Sequence, residues 1–164
     1  MDLKIDHMNP QDWDEVRTIY EAGIATRNST FETQAPSWTT WDAAHLPTPR
    51  LVAREEARVL GWAALSAVST RNAYAGVAEA SVYVDRGYFR WGIGRTLLAA
   101  LISFSERDGI WTLQAGVFPE NAASIALCKS CGFREVGRRE RISLLDGIWR
   151  DAILLERRSK ISGI

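Results

Sequence analysis

Val82-Tyr83-Val84-Asp85-Arg86-Gly87-Tyr88-Phe89-Arg90-Trp91-Gly92-Ile93-Gly94-Arg95 reads as an alternating strand, a polar and aromatic loop, and two glycines that open a helix. The first N–H groups of a helix have no internal partner, and the helix dipole makes that end favourable for anions. Gly92 and Gly94 lack a Cβ, which lets a bulky phosphate approach the main chain. Arg90 and Arg95 add positive charge beside it. The stretch predicts a strand–loop–helix cradle for a phosphorylated cofactor.

Outward from the loop, the pattern alternates between strands and helices. Upstream, Leu51 to Arg54 and Val59 to Val68 flank a polar turn and predict a hairpin. Val77 to Val84 adds a third strand, with Ala78, Ala80, Val82 and Val84 on one face and Glu79, Ser81 and Tyr83 on the other. Downstream, Ile93, Leu97, Leu98, Leu101, Ile102 and Ser105 mark an amphipathic helix that Gly109 stops. Trp111 to Phe118 reads as a strand, ended by Pro119. Asn121 caps a further helix that Gly132 closes. Phe133 to Val136 and Ile142 to Leu145 read as strands, Asp146-Gly147 as a turn, and Trp149 to Leu155 as the last strand.

Nearer the start, Leu3, Ile5 and His7 predict a first strand. Asn9-Pro10 reads as the cap and first position of a helix carrying Trp13, Val16, Ile19, Tyr20 and Gly23 at helical spacing. Phe31 falls in a stretch of neither pattern. Ser37 or Thr39 caps a short helix in which Trp38 and Trp41 are packing residues. The sum is a mixed sheet, antiparallel first and then parallel across the long helix, with residues 1–164 forming a single domain.

Composition narrows the function classes. The 164 residues are 46% hydrophobic and 24% charged, normal for a globular protein with a core of its own. Twenty basic residues balance twenty acidic ones, which gives no general attraction for nucleic acid or a membrane surface. No apolar run is long enough to cross a bilayer, and Met1-Asp2-Leu3-Lys4-Ile5-Asp6 lacks the pattern of a secretory leader, so a cytoplasmic location is expected. Cys128 and Cys131 form a lone C-x-x-C. With only His7 and His45 elsewhere, no metal site is expected, and the pair sits late in a helix, where no dipole activates a dithiol.

The glycine loop, the helix after it, Asn121, and Ala123-Ser124-Ile125-Ala126-Leu127 leading to Cys131-Gly132-Phe133 resemble the GNAT superfamily of acetyl-CoA-dependent N-acetyltransferases. Arg71-Asn72-Ala73-Tyr74, Glu79, Val82-Tyr83-Val84 and Asp146-Gly147-Ile148-Trp149-Arg150-Asp151 are similar to the phosphinothricin N-acetyltransferases and their methionine sulfone and sulfoximine relatives. The resemblance implies an α+β fold in α/β/α layers. Its central sheet is partly antiparallel, with splayed middle strands and helices on both faces. It also implies an acetyl-CoA co-substrate, a small L-amino acid acceptor with a tetrahedral polar head, direct acetyl transfer and a homodimer.

The resemblance assigns roles by position. Arg90, Trp91, Gly92, Ile93, Gly94 and Arg95 supply the pyrophosphate loop, Val82, Tyr83 and Val84 pair with the pantetheine arm, and Asn121 lies near the sulfur. A backbone N–H near Val84 can polarise the thioester carbonyl. Glu79 is the general base that an amine acceptor needs at neutral pH. Phe31, Arg71, Asn72, Ala73 and Tyr74 match substrate-contacting positions, with Arg71 suited to a carboxylate or phosphinate. Trp149 and Asp151 read as structural or interface residues. Two positions depart from the pattern. Phe89 stands where Arg or Gln is usual, which shifts the load to the loop main chain. Cys128 stands where many relatives carry Tyr or His, and either donates a proton to the leaving thiolate or only packs. Two other readings remain open from sequence: an enzyme for polyamines, aminoglycosides or protein N-termini, and an idle acetyl-CoA-binding domain.

Overall fold

The computed structural model describes residues Met1 to Ile164. Strand β1 (Leu3–His7) leads through a 3-10 turn at Pro10–Asp12 into helix α1 (Trp13–Ala25), and an irregular stretch precedes α2 (Trp38–Ala44). The meander β2 (Arg50–Glu55), β3 (Arg58–Ala67) and β4 (Val77–Val84) follows, with a 3-10 turn at Asn72–Tyr74 before β4. Then come α3 (Ile93–Arg107), β5 (Thr112–Val117), α4 (Ala122–Ser130), β6 (Arg134–Leu145) and β7 (Ile148–Arg158). The strands form one sheet in the order β1-β2-β3-β4-β5-β7-β6. Only β4 and β5 are parallel. No helix is long and apolar enough to cross a membrane.

The two faces of the sheet carry separate cores. On one, Leu97, Leu98 and Leu101 of α3 bury against Leu51, Leu60, Leu65, Leu113 and Leu155. On the other, Trp13, Val16 and Ile19 of α1 meet Trp41, Val52, Val59 and Trp62. Each fully buried aliphatic side chain stabilises the fold by about 1.5–3 kcal/mol, so the two helix stripes hold α1 and α3 on opposite faces. Ser37 Oγ accepts the Thr40 N–H and starts α2, which delivers Trp41, only 1% exposed, into the second core. The packing role expected of Trp41 holds.

Two boundaries differ from the sequence reading. The segments expected at Phe133 to Val136 and Ile142 to Leu145 belong to one long strand, β6, whose ladder with β7 is irregular between Glu135 and Gly137 and between Arg139 and Ser143. Polar residues mask its continuity because β6 is the sheet edge. The last strand also runs on through Arg158, because β5 offers partners that far: Thr112 faces Arg158. The Asp146-Gly147 turn forms as expected, with φ values of 50° and 78° at the two residues.

Gly23, read only as part of a helical repeat, has a specific reason to be glycine. A Cβ there would lie 2.7 Å from Cδ1 and Cε1 of Tyr83. That ring cannot yield easily, since it stacks on Trp62 at 4.9 Å and packs against Tyr20 at 4.9 Å. Gly23→Ala gains about 1 kcal/mol of helix propensity but overpacks the core at a cost of roughly 1–3 kcal/mol. The expected result is a lower urea midpoint for Gly23→Ala. Equal or greater stability would show that the Tyr83 stack is not rigid.

Candidate active site

The parallel ladder between β4 and β5 stops early. Val77 faces Thr112, Ala78 faces Leu113 and Glu79 faces Gln114, and no pair follows. Beyond Glu79 the two strands diverge into a V with Glu79 at its vertex. A cavity of about 970 Å³ occupies the opening and reaches both faces of the sheet.

The unpaired edge of β4 has a definite polarity. Opposite residues of an antiparallel pair exchange hydrogen bonds at every second position. The Asp85 N–H donates to the Leu60 carbonyl, so in this register Tyr83 and Ser81 also turn their backbone groups toward β3. The N–H and C=O groups of Val82 and Val84 therefore face the opening. Val82 and Val84 thus offer free backbone groups to the opening, whereas the main chain of Tyr83 is turned to β3. The Tyr83 side chain instead lies on the α1 face, near Ser29 and Thr30, where burial pushes its phenol well above the ordinary tyrosine range.

At the wide end of the V lies the start of α3. Gly92 is its N-cap in the left-handed region, at φ 78°, with no side chain capping the turn. The first helical backbone bond is from Thr96 N–H to the Gly92 carbonyl, which leaves Ile93, Gly94 and Arg95 with free N–H groups. The two glycines serve different ends. A Cβ on Gly92 would meet nothing, so its conformation is what needs glycine. A Cβ on Gly94 would lie 3.3 Å from Leu127 Cδ2, so its bareness also lets α4 approach α3. Arg86, Phe89, Arg90 and Arg95 line this end of the cavity. Trp91 does not; it is 62% exposed and tilts against Tyr88 at 6.1 Å. The loop is pinned from β3, where Arg58 pairs with Asp85 at 3.1 Å and lies over the Tyr88 ring at 5.2 Å.

Glu79 is half-buried on the α1 face of the vertex. Burial raises its pKa above the usual carboxylate range, while Arg139, the Gly116 N–H and the Gln114 side chain pull it back down. A Cβ on Gly116 would sit 3.7 Å from Glu79 Oε1, so β5 leaves the carboxylate room at this point. Glu79 is the only acid lining the cavity, against four arginines: Arg86, Arg90, Arg95 and Arg139.

Cys128 is buried on α4 and lines the cavity. Burial, and then the neighbouring Cys131, push its thiol up to about 11. It is therefore a protonated thiol at neutral pH, able to donate and poorly suited to nucleophilic attack. Asn121 also lines the cavity, but its side chain is engaged twice: Oδ1 accepts the Ser124 N–H at 3.2 Å, and Nδ2 donates to the Asn28 carbonyl at 3.1 Å. Arg150 of β7 donates to the Arg27 carbonyl at 2.9 Å and lies over the Phe118 ring at 4.1 Å. Phe118 in turn meets Phe31 edge-on at 4.9 Å. The C-terminal half thus holds residues 28–31, Phe31 included, as one wall of the cavity.

Arg71, Asn72, Ala73 and Tyr74 do not reach this cavity within one chain. They form an exposed turn ahead of Val77, at the closed end of the V, whereas the cavity opens toward Val84. The Arg71 guanidinium lies 5.6 Å from the centre of its own turn's Tyr74 ring. Asp151 is structural: it accepts the Arg138 Nε–H at 2.7 Å and the Arg141 N–H at 2.8 Å. Sequence reasoning missed Ser29, Thr30 and Arg139. The first two sit in an unpatterned loop, and Arg139 sits in the charged run Arg138-Arg139-Glu140-Arg141, which reads as a solvated edge.

A general base at this vertex must be ionised to accept a proton, so activity is lost as pH falls through a pKa raised above that of a free carboxylate. Glu79→Gln is expected to lower kcat/KM roughly 100-fold or more, to remove that acid limb from the pH profile, and to leave acetyl-CoA binding intact by calorimetry. Wild-type turnover in the variant would exclude Glu79 as base.

Comparison with known proteins agrees with this arrangement. Residues 13–133 match the model of the acetyltransferase (GNAT) family. The phosphinothricin N-acetyltransferase of Alcaligenes faecalis is 33% identical over 149 residues, which cover 87% of this chain and 75% of that protein. The L-methionine sulfoximine/L-methionine sulfone acetyltransferase of Salmonella typhimurium is 32% identical over 108 residues, covering 66% and 63%. The structure of yncA from Salmonella typhimurium, solved with its cofactor acetyl-CoA, superposes with a TM-score of 0.87 at 25% identity, covering 96% of this chain and 94% of that one.

Proposed function

The chain belongs to the acetyltransferase (GNAT) family and is an N-acetyltransferase; from that premise we propose that it acetylates the α-amino group of a small L-amino acid or analogue, of the phosphinothricin, methionine sulfone or methionine sulfoximine kind, using acetyl-CoA. The observation that carries the reading is the V between β4 and β5. It brings an open helix N-terminus, an unpaired strand edge and a desolvated carboxylate to one cavity.

The residues fit acetyl-CoA. Free N–H groups at Ile93, Gly94 and Arg95, with Arg86, Arg90 and Arg95 around them, suit a pyrophosphate. The outward backbone groups of Val82 and Val84 suit the amides of a pantetheine arm. When bound, acetyl-CoA supplies the acetyl group as a thioester. Glu79 holds the acceptor ammonium and takes its proton, which frees the nitrogen lone pair. The Val84 N–H, on the unpaired edge of β4, would donate to the thioester oxygen and stabilise the negative charge that develops there. Cys128 either donates its proton to the departing sulfur or fills the space between α4 and the cavity.

The charge balance of the cavity separates the competing acceptors. Arg86, Arg90 and Arg95 stand at the pyrophosphate end, so the acceptor end carries one carboxylate, Glu79, and one cation, Arg139; that pairing favours an acceptor with an anionic group beside its amine over a polyamine or an aminoglycoside. Contact of Arg71, Asn72, Ala73 and Tyr74 with the acceptor, which the family resemblance implies, would come from a second copy of the chain. A homodimer also accords with the exposed Val136, Leu144, Ile148 and Trp149 on β6 and β7, and sedimentation against the 18.3 kDa chain mass checks it. The activity test is thiol release from acetyl-CoA with phosphinothricin, methionine sulfone, methionine sulfoximine and spermidine. Turnover is expected with the three amino acids and not with spermidine. Turnover with spermidine alone would replace this reading, and none with any acceptor would favour an idle binding domain.

A further inference from the structure

The four cavity arginines are not equivalent. Arg86, Arg90 and Arg95 surround the start of α3, at the wide end of the V. Arg139 stands apart from them, on β6, at the residue where the β6–β7 ladder becomes irregular between Arg139 and Ser143. Ile142 and Ser143, on the far side of the same irregularity, also line the cavity. Its neighbours on β6 are engaged: Arg134 pairs with Glu156 at 2.6 Å and Arg138 with Asp151 at 2.7 Å. Arg139 has no ion pair and no side-chain hydrogen bond. The one carboxylate that faces it across the cavity is Glu79, whose titration feels its charge.

We propose that Arg139 binds the α-carboxylate of the acceptor amino acid, and so selects α-amino acids over simple amines. This rests on the functional reading above. In an α-amino acid the ammonium and the carboxylate are attached to the same carbon. An acceptor whose nitrogen meets Glu79 must therefore place its carboxylate close by, whatever its side chain. Within the chain, Arg139 is the only cavity cation on the Glu79 side, and it is unpaired. The arrangement offers one negative and one positive group to a zwitterion carrying the opposite pair. A guanidinium also suits a carboxylate by its two-pronged geometry. The acceptor side chain then extends toward Ser29, Thr30 and Phe31, so its polar head and its carboxylate are read by different residues.

The test compares an L-amino acid acceptor, methionine sulfone, with its α-carboxamide, in wild type, Arg139→Gln and Arg139→Lys. Arg139 is exposed and unpartnered, so both variants are expected to fold. Wild type is expected to prefer the acid. Arg139→Gln should raise KM for the acid roughly 10- to 100-fold, leave KM for the amide and for acetyl-CoA within about twofold, and so erase the preference. Arg139→Lys should recover part of it. If wild type acetylates the acid and Arg139→Gln keeps the same preference, this inference fails alone. If wild type acetylates neither acceptor, the functional reading fails and the inference with it.

Discussion

A sheet that stops pairing in mid-strand leaves backbone donors and acceptors without partners, and the rest of this molecule is arranged around that break. A backbone polar group deprived of both water and a partner costs on the order of 1–3 kcal/mol. At Val82 and Val84 those groups face a cavity instead of β5. The opening is held from outside. β4 stays paired to β3 from Ala78 to Val84, and β5 stays paired to β7 from Thr112 to Val117. With α1 and α3 packed on opposite faces, neither strand can rotate to close the gap without opening a core.

The break also divides the chemistry between the two faces. On the α3 side the groups that count are mostly main-chain: free N–H groups at a helix start and along a strand edge. On the α1 side they are side chains: Glu79, Arg139, Phe31 and Tyr83. Glu79 sits between the two because it occupies the last paired rung. Burial raises the pKa of its carboxyl, and Arg139, the Gly116 N–H and the Gln114 side chain oppose that rise. Cys128 experiences burial without a cation to offset it, and stays a thiol.

Much of this was legible in the chain because local rules carried it. The alternation of Val77 to Val84, the glycines before Ile93, and the spacing of Leu97, Leu98 and Leu101 are short-range signals, and each produced the element expected. Phe31, Glu79, Val82, Val84 and Cys128, picked out by the family resemblance, line the cavity. What remained hidden depends on contacts distant in sequence. Arg139 enters the site through an irregular edge ladder, and Asn28 is tied to Asn121 from 93 residues away. Arg71 to Tyr74 show the converse: a motif can be recognisable and still lie outside the cavity of its own chain. Gly94 was read as a phosphate-approach glycine, and it proves to be also a helix-packing one.

The central claim is that the unpaired edge of β4 and the open start of α3 receive acetyl-CoA. Backbone amide exchange, resolved residue by residue by NMR with and without acetyl-CoA, tests it directly. Val84, Ile93, Gly94 and Arg95 should be protected on addition, while Asp85, already bonded to Leu60, should not change. Unchanged exchange at Val84 and at the first turn of α3, in protein that nonetheless binds acetyl-CoA, would contradict the account.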